Sequence, residues 1–324
     1  MVVDLRFQKA LVTGGAGFIG SHICEKLVNM GIEVISLDDY SAGKEENLDG
    51  LACEKVNGDI LDEVLVDKLM KGVDVIFHNA ASKKAVCLKD PKRDLDVNGK
   101  GTLVLLQAAV KNKVGKFVHA STGSVYGEPI FFPQDEDHPL NPTSYYGVSK
   151  LAGERYVKMF SSLYGLDVSI LRYFHVYGPK QVWADNVGGV VAIFIRRMIE
   201  KKPITIFGDG TQQRSFTYVE DVVEANLSAA TVDKAVGQAY NCASGLQVSV
   251  GDLVGVISNA FGLDGYPVVY EDWTPGDIKI FDIDNSKIKS DLGITFMTDL
   301  ARGIRYTIDW AECHFRSVRK KGCA

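Results

Sequence analysis

Tyr146 and Lys150 stand four residues apart in the run Tyr146-Gly147-Val148-Ser149-Lys150, so on a helix the phenol and the ammonium lie on one face. A nearby cation favours phenolate over phenol. The pair therefore predicts a Tyr146 pKa drawn down toward neutrality, as a general base acting on an alcohol requires. The spacing alone also describes many surface pairs, and what precedes it adds weight. Ser121-Thr122-Gly123-Ser124-Val125-Tyr126-Gly127 offers Thr122 and Ser124 as small hydroxyls able to hold a reacting oxygen. Clusters of this kind otherwise serve to satisfy loop backbone.

A second constellation lies at the N-terminus. Thr13-Gly14-Gly15-Ala16-Gly17-Phe18-Ile19-Gly20 joins a short apolar run to an amphipathic stretch. Glycines at 14, 17 and 20 let the backbone turn sharply and approach a pyrophosphate, and the N–H groups of the following helix, with Phe18 and Ile19 in its first turn, face that anion. Asp38 closes the second apolar run, where a carboxylate accepts hydrogen bonds from a ribose hydroxyl pair. A carboxylate there repels a 2′-phosphate, and no arginine adjoins it in sequence, so NAD is expected rather than NADP. Asp59 and Ile60 end the third run on the same rim, where Asp59 could meet the adenine amino group or cap a helix before Leu61.

These residues need a frame that brings them to one edge. Short runs rich in β-branched residues alternate with amphipathic stretches through about the first 175 residues, which predicts parallel βαβ units in a Rossmann-type, doubly wound α/β sheet. Strands are expected at 9–13, 33–37, 53–57, 74–79, 116–120 and 167–173. Ile19, Ile23 and Leu27, and Leu103, Leu106 and Val110, recur at helical spacing. Beyond residue 178 the alternation loosens into a helix near 189–201, a strand at 204–207, a strand-like stretch at 214–218 and further helices. The expected division is an NAD-binding domain over 1–178 and a smaller mixed α/β, substrate-binding lobe over 179–324, with the chain free to cross between them.

Composition narrows the alternatives. The chain has 324 residues, 46% hydrophobic and 24% charged, with 32 Gly and 9 Pro, which is the make-up of a folded globular protein. Its net charge of −5 supplies no general field for nucleic acid or anionic lipid. The one dense basic run, Arg316, Arg319, Lys320 and Lys321, reads as a solvated tail. Six scattered cysteines without a CxxC pair suggest neither a disulfide framework nor a metal site, and point to a reducing cytoplasm. No apolar run approaches membrane-spanning length.

The motifs together resemble the extended short-chain dehydrogenase/reductases, in the branch of NAD-dependent nucleotide-sugar epimerases and dehydratases. The resemblance runs in order through the glycine loop, His78-Asn79-Ala80-Ala81, Asn98-Gly99-Lys100-Gly101-Thr102, the 121–127 segment, the Tyr146–Lys150 run, Leu171-Arg172-Tyr173-Phe174, Tyr177-Gly178-Pro179, Phe207-Gly208-Asp209-Gly210 and Tyr218-Val219-Glu220-Asp221-Val222. It implies Tyr146 as base, Lys150 on the nicotinamide ribose, Thr122 as the third catalytic group with Ser124 beside it, and Ala80, Ala81, Asn98 and Tyr173 along the cofactor. It also implies Arg214 on a substrate diphosphate, Thr205 and Phe207 near the nucleotide base, and a homodimer formed by the helix of Tyr146 and Lys150 with the helix near 94–110.

Within that branch, dehydratases carry an Asp-Glu pair after the catalytic threonine, and decarboxylating relatives a Glu at the second of those places. Here stand Gly123 and Ser124, neither able to do acid–base work at neutral pH. A 4-epimerase of a nucleotide-activated hexose, UDP-linked by resemblance, is the expected activity. A lyase of the same family and a non-catalytic NAD-binding regulator are the alternatives. Two departures from the family pattern mark the substrate side: His175 replaces an asparagine, and Thr274-Pro275-Gly276-Asp277 replaces an arginine-containing segment. Lys83 is a candidate to meet the sugar.

Overall fold

The computed structural model describes residues 7–82, 84–183, 188–273 and 278–321. In the first half strands β1 (Lys9–Thr13), β2 (Glu33–Asp38), β3 (Glu54–Asn57), β4 (Val75–His78), β5 (Lys116–Thr122) and β6 (Asp167–Tyr173) alternate with helices α1 (Phe18–Asn29), α2 (Glu63–Leu69), α3 (Lys84–Lys89), α4 (Pro91–Leu95), α5 (Thr102–Lys111) and α6 (Tyr145–Tyr164). The second half adds β7 (Val176–Tyr177), α7 (Val190–Ile199), β8 (Ile204–Phe207), β9 (Gln213–Arg214), β10 (Thr217–Tyr218), α8 (Val219–Thr231), β11 (Gln238–Cys242), β12 (Val248–Ser249), α9 (Val250–Ala260), β13 (Val268–Glu271), α10 (Ser286–Leu292) and α11 (Leu300–Lys321).

Seven parallel strands form the central sheet in the order β11-β6-β5-β4-β1-β2-β3. The strands are nearly continuous apolar runs because helices cover both faces. Ala10, Val12, Val34 and Val118 pack with Ile23, Leu27 and Val222 on one side. Leu11, Ile35, Ile76 and Phe117 pack with Leu105, Leu106 and Val157 on the other. The order reverses beside β1, and at that switch point the carboxyl ends of the strands open a crevice for a ligand.

The six expected strands form within a residue or two of their anticipated bounds. The seventh, β11, comes from beyond residue 178 and pairs with β6 from Gln238↔Ser169 to Cys242↔Tyr173. Helix α8 also returns to the sheet, with Val222, Val223 and Leu227 in its core. The chain therefore crosses back after leaving, and what remains outside is a smaller lobe cored by Phe194, Ile195, Ile206, Leu253, Ile257, Ile304 and Ile308. The stretch 214–218 is not one strand but two: β9 pairs with β12 and β10 with β7.

Candidate active site

The glycine loop runs from β1 into α1, with Gly17 at the helix N-cap. Gly14 has φ of +65°, and a Cβ there would lie 2.7 Å from the Ala80 backbone nitrogen, so turn and close approach both require glycine. Asp38, at the end of β2, accepts from Ala16 N–H at 3.0 Å and Tyr40 N–H at 2.8 Å. It is buried, and that burial raises its pKa while those N–H groups oppose the shift.

Above this loop lies a cavity of about 790 Å³. Gly14, Gly17, Phe18, Ile19, Gly20, Asp38, Asp59, Ile60, Ala80, Ala81, Tyr146, Lys150 and Tyr173 all line it. One space thus gathers residues from the first loop to the sixth strand. Its size suits a dinucleotide-sized ligand, and the loop in which side chains would clash fits a pyrophosphate. Asn98 is the exception. Its amide donates to Asp94 Oδ1 at 3.1 Å and Ser149 Oγ at 3.0 Å and accepts from Ser82 N–H at 3.0 Å, so it braces the wall rather than facing the cavity. A π-helical turn over Asp96–Gly101 sets it there.

Helix α6 starts at an N-cap, Ser144, whose hydroxyl accepts from Gly147 N–H at 3.1 Å. This start puts Tyr146 and Lys150 on the inward face. Thr122, at the end of β5, hydrogen-bonds the Tyr146 phenol and meets Ser124 Oγ at 3.3 Å. The tyrosine, lysine and threonine expected from sequence therefore converge.

Their electrostatics correct the expectation. Burial pushes the Tyr146 phenol up to about 12, Asp94 adds to that rise, and the Thr122 hydrogen bond only opposes it. Burial also draws Lys150 down to about 8, against the pull of Glu154 and Asp94. The ammonium alone does not make this tyrosine acidic, because the same burial that brings the pair together penalises the phenolate. Beneath them the His78 ring bridges Thr13 Oγ1 at 2.8 Å and Thr102 Oγ1 at 3.0 Å, and burial holds both His78 and His119 neutral.

Three parts of the site were not foreseen. Glu154, one turn beyond Lys150, accepts from Ser121 Oγ at 2.5 Å and from Arg172 at 2.9 and 3.0 Å, with both ion-pair partners buried. Arg172 also donates to the Tyr126 hydroxyl at 2.8 Å. Tyr173 receives a hydrogen bond from Asn226 of α8 at 2.8 Å. Arg93 reaches Asp39 at 3.2 Å and Asp59 at 2.9 Å, which places an arginine on the rim that the sequence beside Asp38 lacks. Asp59 does not cap a helix; Asp62 caps α2. Helical spacing from Lys150 to Glu154 was the available signal; Arg93 carried none.

On the lobe side, His175 adopts φ of 37°, which is rare for a side chain other than Gly or Asn. Its ring stands edge-on to Phe281 at 4.8 Å, and Arg214 lies over the same phenyl ring at 5.1 Å. Burial and then Arg214 push His175 down to about 3, and its Nδ1 has no protein partner among the described residues. His175 and Arg214 are thus brought together. Thr205 and the half-exposed Phe207 sit on β8 outside the cavity, joined to β9 through Gln212, whose amide donates to the Phe207 carbonyl at 2.8 Å. Lys83 and residues 274–277 lie outside the described residues. No cluster of metal-ligating side chains is present among the described residues.

The sequence profile described as the NAD dependent epimerase/dehydratase family matches residues 10–243, which span both the glycine loop and the Tyr146–Lys150 pair. The chain belongs to that family. Among its relatives, the UDP-glucose 4-epimerase of Mycolicibacterium smegmatis is 39% identical over 312 residues, covering 94% of this chain and 98% of that one. The solved UDP-glucose 4-epimerase of Thermotoga maritima with UDP-glucose superposes with a TM-score of 0.90 at 37% identity, covering 95% of this chain and 99% of that chain. The Thermus thermophilus UDP-glucose 4-epimerase in complex with NAD gives a TM-score of 0.85 at 34% identity, covering 94% of this chain and 99% of that chain. NAD is the family's cofactor, and the Gly14 cradle and Asp38 are this epimerase/dehydratase member's residues that fit it.

Proposed function

We propose that the protein is an NAD-dependent 4-epimerase of a UDP-activated hexose. The observation that carries the reading is the convergence of Tyr146, Thr122 and Lys150 at one end of the glycine-loop cavity, without an acid pair beside the threonine. The place of a dehydratase's Asp is further occupied: a Cβ at Gly123 would lie 2.7 Å from Phe174 Cδ1. No carboxylate fits there while that ring stays.

NAD, when bound, supplies the acceptor and donor of hydride at the sugar C4. Tyr146 takes the proton of the C4 hydroxyl and later returns it, and Thr122 holds the oxygen in line. Lys150 would hold the nicotinamide ribose and contribute positive charge there. Burial raises the Tyr146 pKa, and the positive charge of Lys150 and of an oxidised pyridinium ring, when bound, would favour the phenolate. His175 and Arg214 are the candidates for the diphosphate, with Thr205 and Phe207 toward the uracil. His175 is kept neutral so that it can donate without adding charge.

The exposed stripe Tyr145, Val148, Tyr156, Met159 and Leu163 on α6, with Leu95 on α4, supports a homodimer through these helices. The described cysteines form no disulfide, which suits the cytoplasm. No helix among the described residues is long and apolar enough to cross a membrane.

The test is incubation of the NAD-loaded enzyme with UDP-glucose, followed by NMR. Interconversion with UDP-galactose is expected; loss of water or carbon dioxide, or inert sugar, would overturn the reading.

A further inference from the structure

At the end of the cavity away from Tyr146, three carboxylates crowd the carboxyl edges of two strands: Asp38 at the end of β2 with Asp39 after it, and Asp59 after β3. Asp38 is taken up by loop N–H groups. Asp39 and Asp59 each give one oxygen to a local turn, accepting from Ser41 N–H and Oγ and from Leu61 N–H, and the other to a shared guanidinium, that of Arg93, at 3.2 and 2.9 Å. Arg93 belongs to neither strand. It comes from α4, whose first turn is fixed by Asp90 accepting Arg93 N–H at 3.0 Å.

Val86, Lys89, Arg93 and Val97, from α3, α4 and the π turn, all line the cavity, so this segment forms its outer wall. At the inner end the wall is anchored by Asn98, which accepts from Ser82 N–H and donates to Asp94 and Ser149, all buried. At the outer end the contacts of Arg93 with Asp39 and Asp59 bridge the wall to the sheet. Each partner in those two ion pairs keeps about a third of its side-chain surface in water. Partly exposed ion pairs form and break readily and are screened by salt.

We infer that Arg93 is a latch for the cofactor: its bridge to Asp39 and Asp59 ties the α3–α4 wall across the adenosine end of the cavity and limits how fast the dinucleotide leaves. Arg93 is a positioning residue in this role, acting through the two carboxylates. The inference rests on the cavity holding a dinucleotide, and does not depend on which sugar is turned over. A redox-neutral cycle gives the latch a purpose, since a cofactor lost between half-reactions would leave an oxidised sugar behind.

The experiment loads the full-length protein with NADH and follows its fluorescence after a chase with excess NAD, with no sugar present. Arg93→Ala is expected to release NADH about tenfold faster, with unchanged circular dichroism. Asp39→Asn should release it about two- to threefold faster, and the double variant no faster than Arg93→Ala alone, because both remove one bridge. A release rate for Arg93→Ala within about twofold of the parent would overturn the latch. Additive effects in the double variant would also overturn it, since Arg93 would then be acting on the cofactor directly. Failure of the parent to bind NADH would sink the dinucleotide reading as well.

Discussion

The two ends of the cavity are built from the same sheet edge but held by opposite physics. At the Tyr146 end, Glu154 joins Ser121 of β5, Arg172 of β6 and its own helix α6 through a fully buried ion pair. At the adenosine end, Arg93 joins α4 to Asp39 and Asp59 through pairs left about a third in water. A buried pair adds little net stability over an apolar substitute, yet losing one partner strands a charge, so it fixes the geometry of the elements it ties. A solvated pair costs little to open. Proton transfer needs Tyr146 and Thr122 held in a narrow geometry, whereas a bound dinucleotide needs only to be slow to leave.

Breaking the Tyr146 end first should give the largest change. Tyr146→Phe is expected to lower kcat by about 10²- to 10⁴-fold, measured by NMR turnover, while NADH release stays as in the parent. Faster release would show that the ends are not independent. Glu154→Ala leaves Arg172 buried and unpaired and should cost about 3–5 kcal/mol in urea unfolding. Asp39→Asn at the other end should cost at most about 1 kcal/mol, and equal costs would dissolve the contrast.

The lobe side sharpens the comparison through pH. His175 is held down to about 3 by burial, whereas the unfolded imidazole binds its proton near its ordinary value of 6.5. Between these values the unfolded chain carries the extra proton, so stability is full above about 6.5 and falls as pH drops toward 3. His175→Asn should flatten the acid limb of unfolding free energy against pH by about 1.4 kcal/mol per pH unit, one proton's slope. An unchanged slope would mean that His175 is accessible and already titrating normally. Smallest of all, raising salt to about 1 M should speed NADH release about twofold through the screened Arg93 pairs, with little change in the stability cost of Glu154→Ala.

Much of this site was legible in the chain. The glycine loop, Asp38 and the Tyr146–Lys150 pair are local patterns: turn geometry, strand-end position and helical spacing each operate within a few residues. They ended where their spacing said. The partners of the Asn98 side chain and the direction of the Tyr146 pKa were not legible for a common reason, since each depends on which groups approach from elsewhere. Asn98 is occupied by Ser82, Asp94 and Ser149. Tyr146 is governed by burial more than by its neighbour four residues on. Strand β11 was missed because a short apolar run in a mixed region does not announce which sheet it will join.

By itself the sequence determined the parallel α/β sheet, the identity of the residues able to do chemistry and the order in which they reach the rim, because periodicity and local sterics act over short distances. The tertiary structure alone decided the return of α8 and β11 to the sheet, the burial that raises Tyr146, the Glu154–Arg172 pair and the reach of Arg93 to Asp39 and Asp59. Coulomb forces and desolvation depend on distance in space. That distance is set only once segments far apart in the chain have packed together.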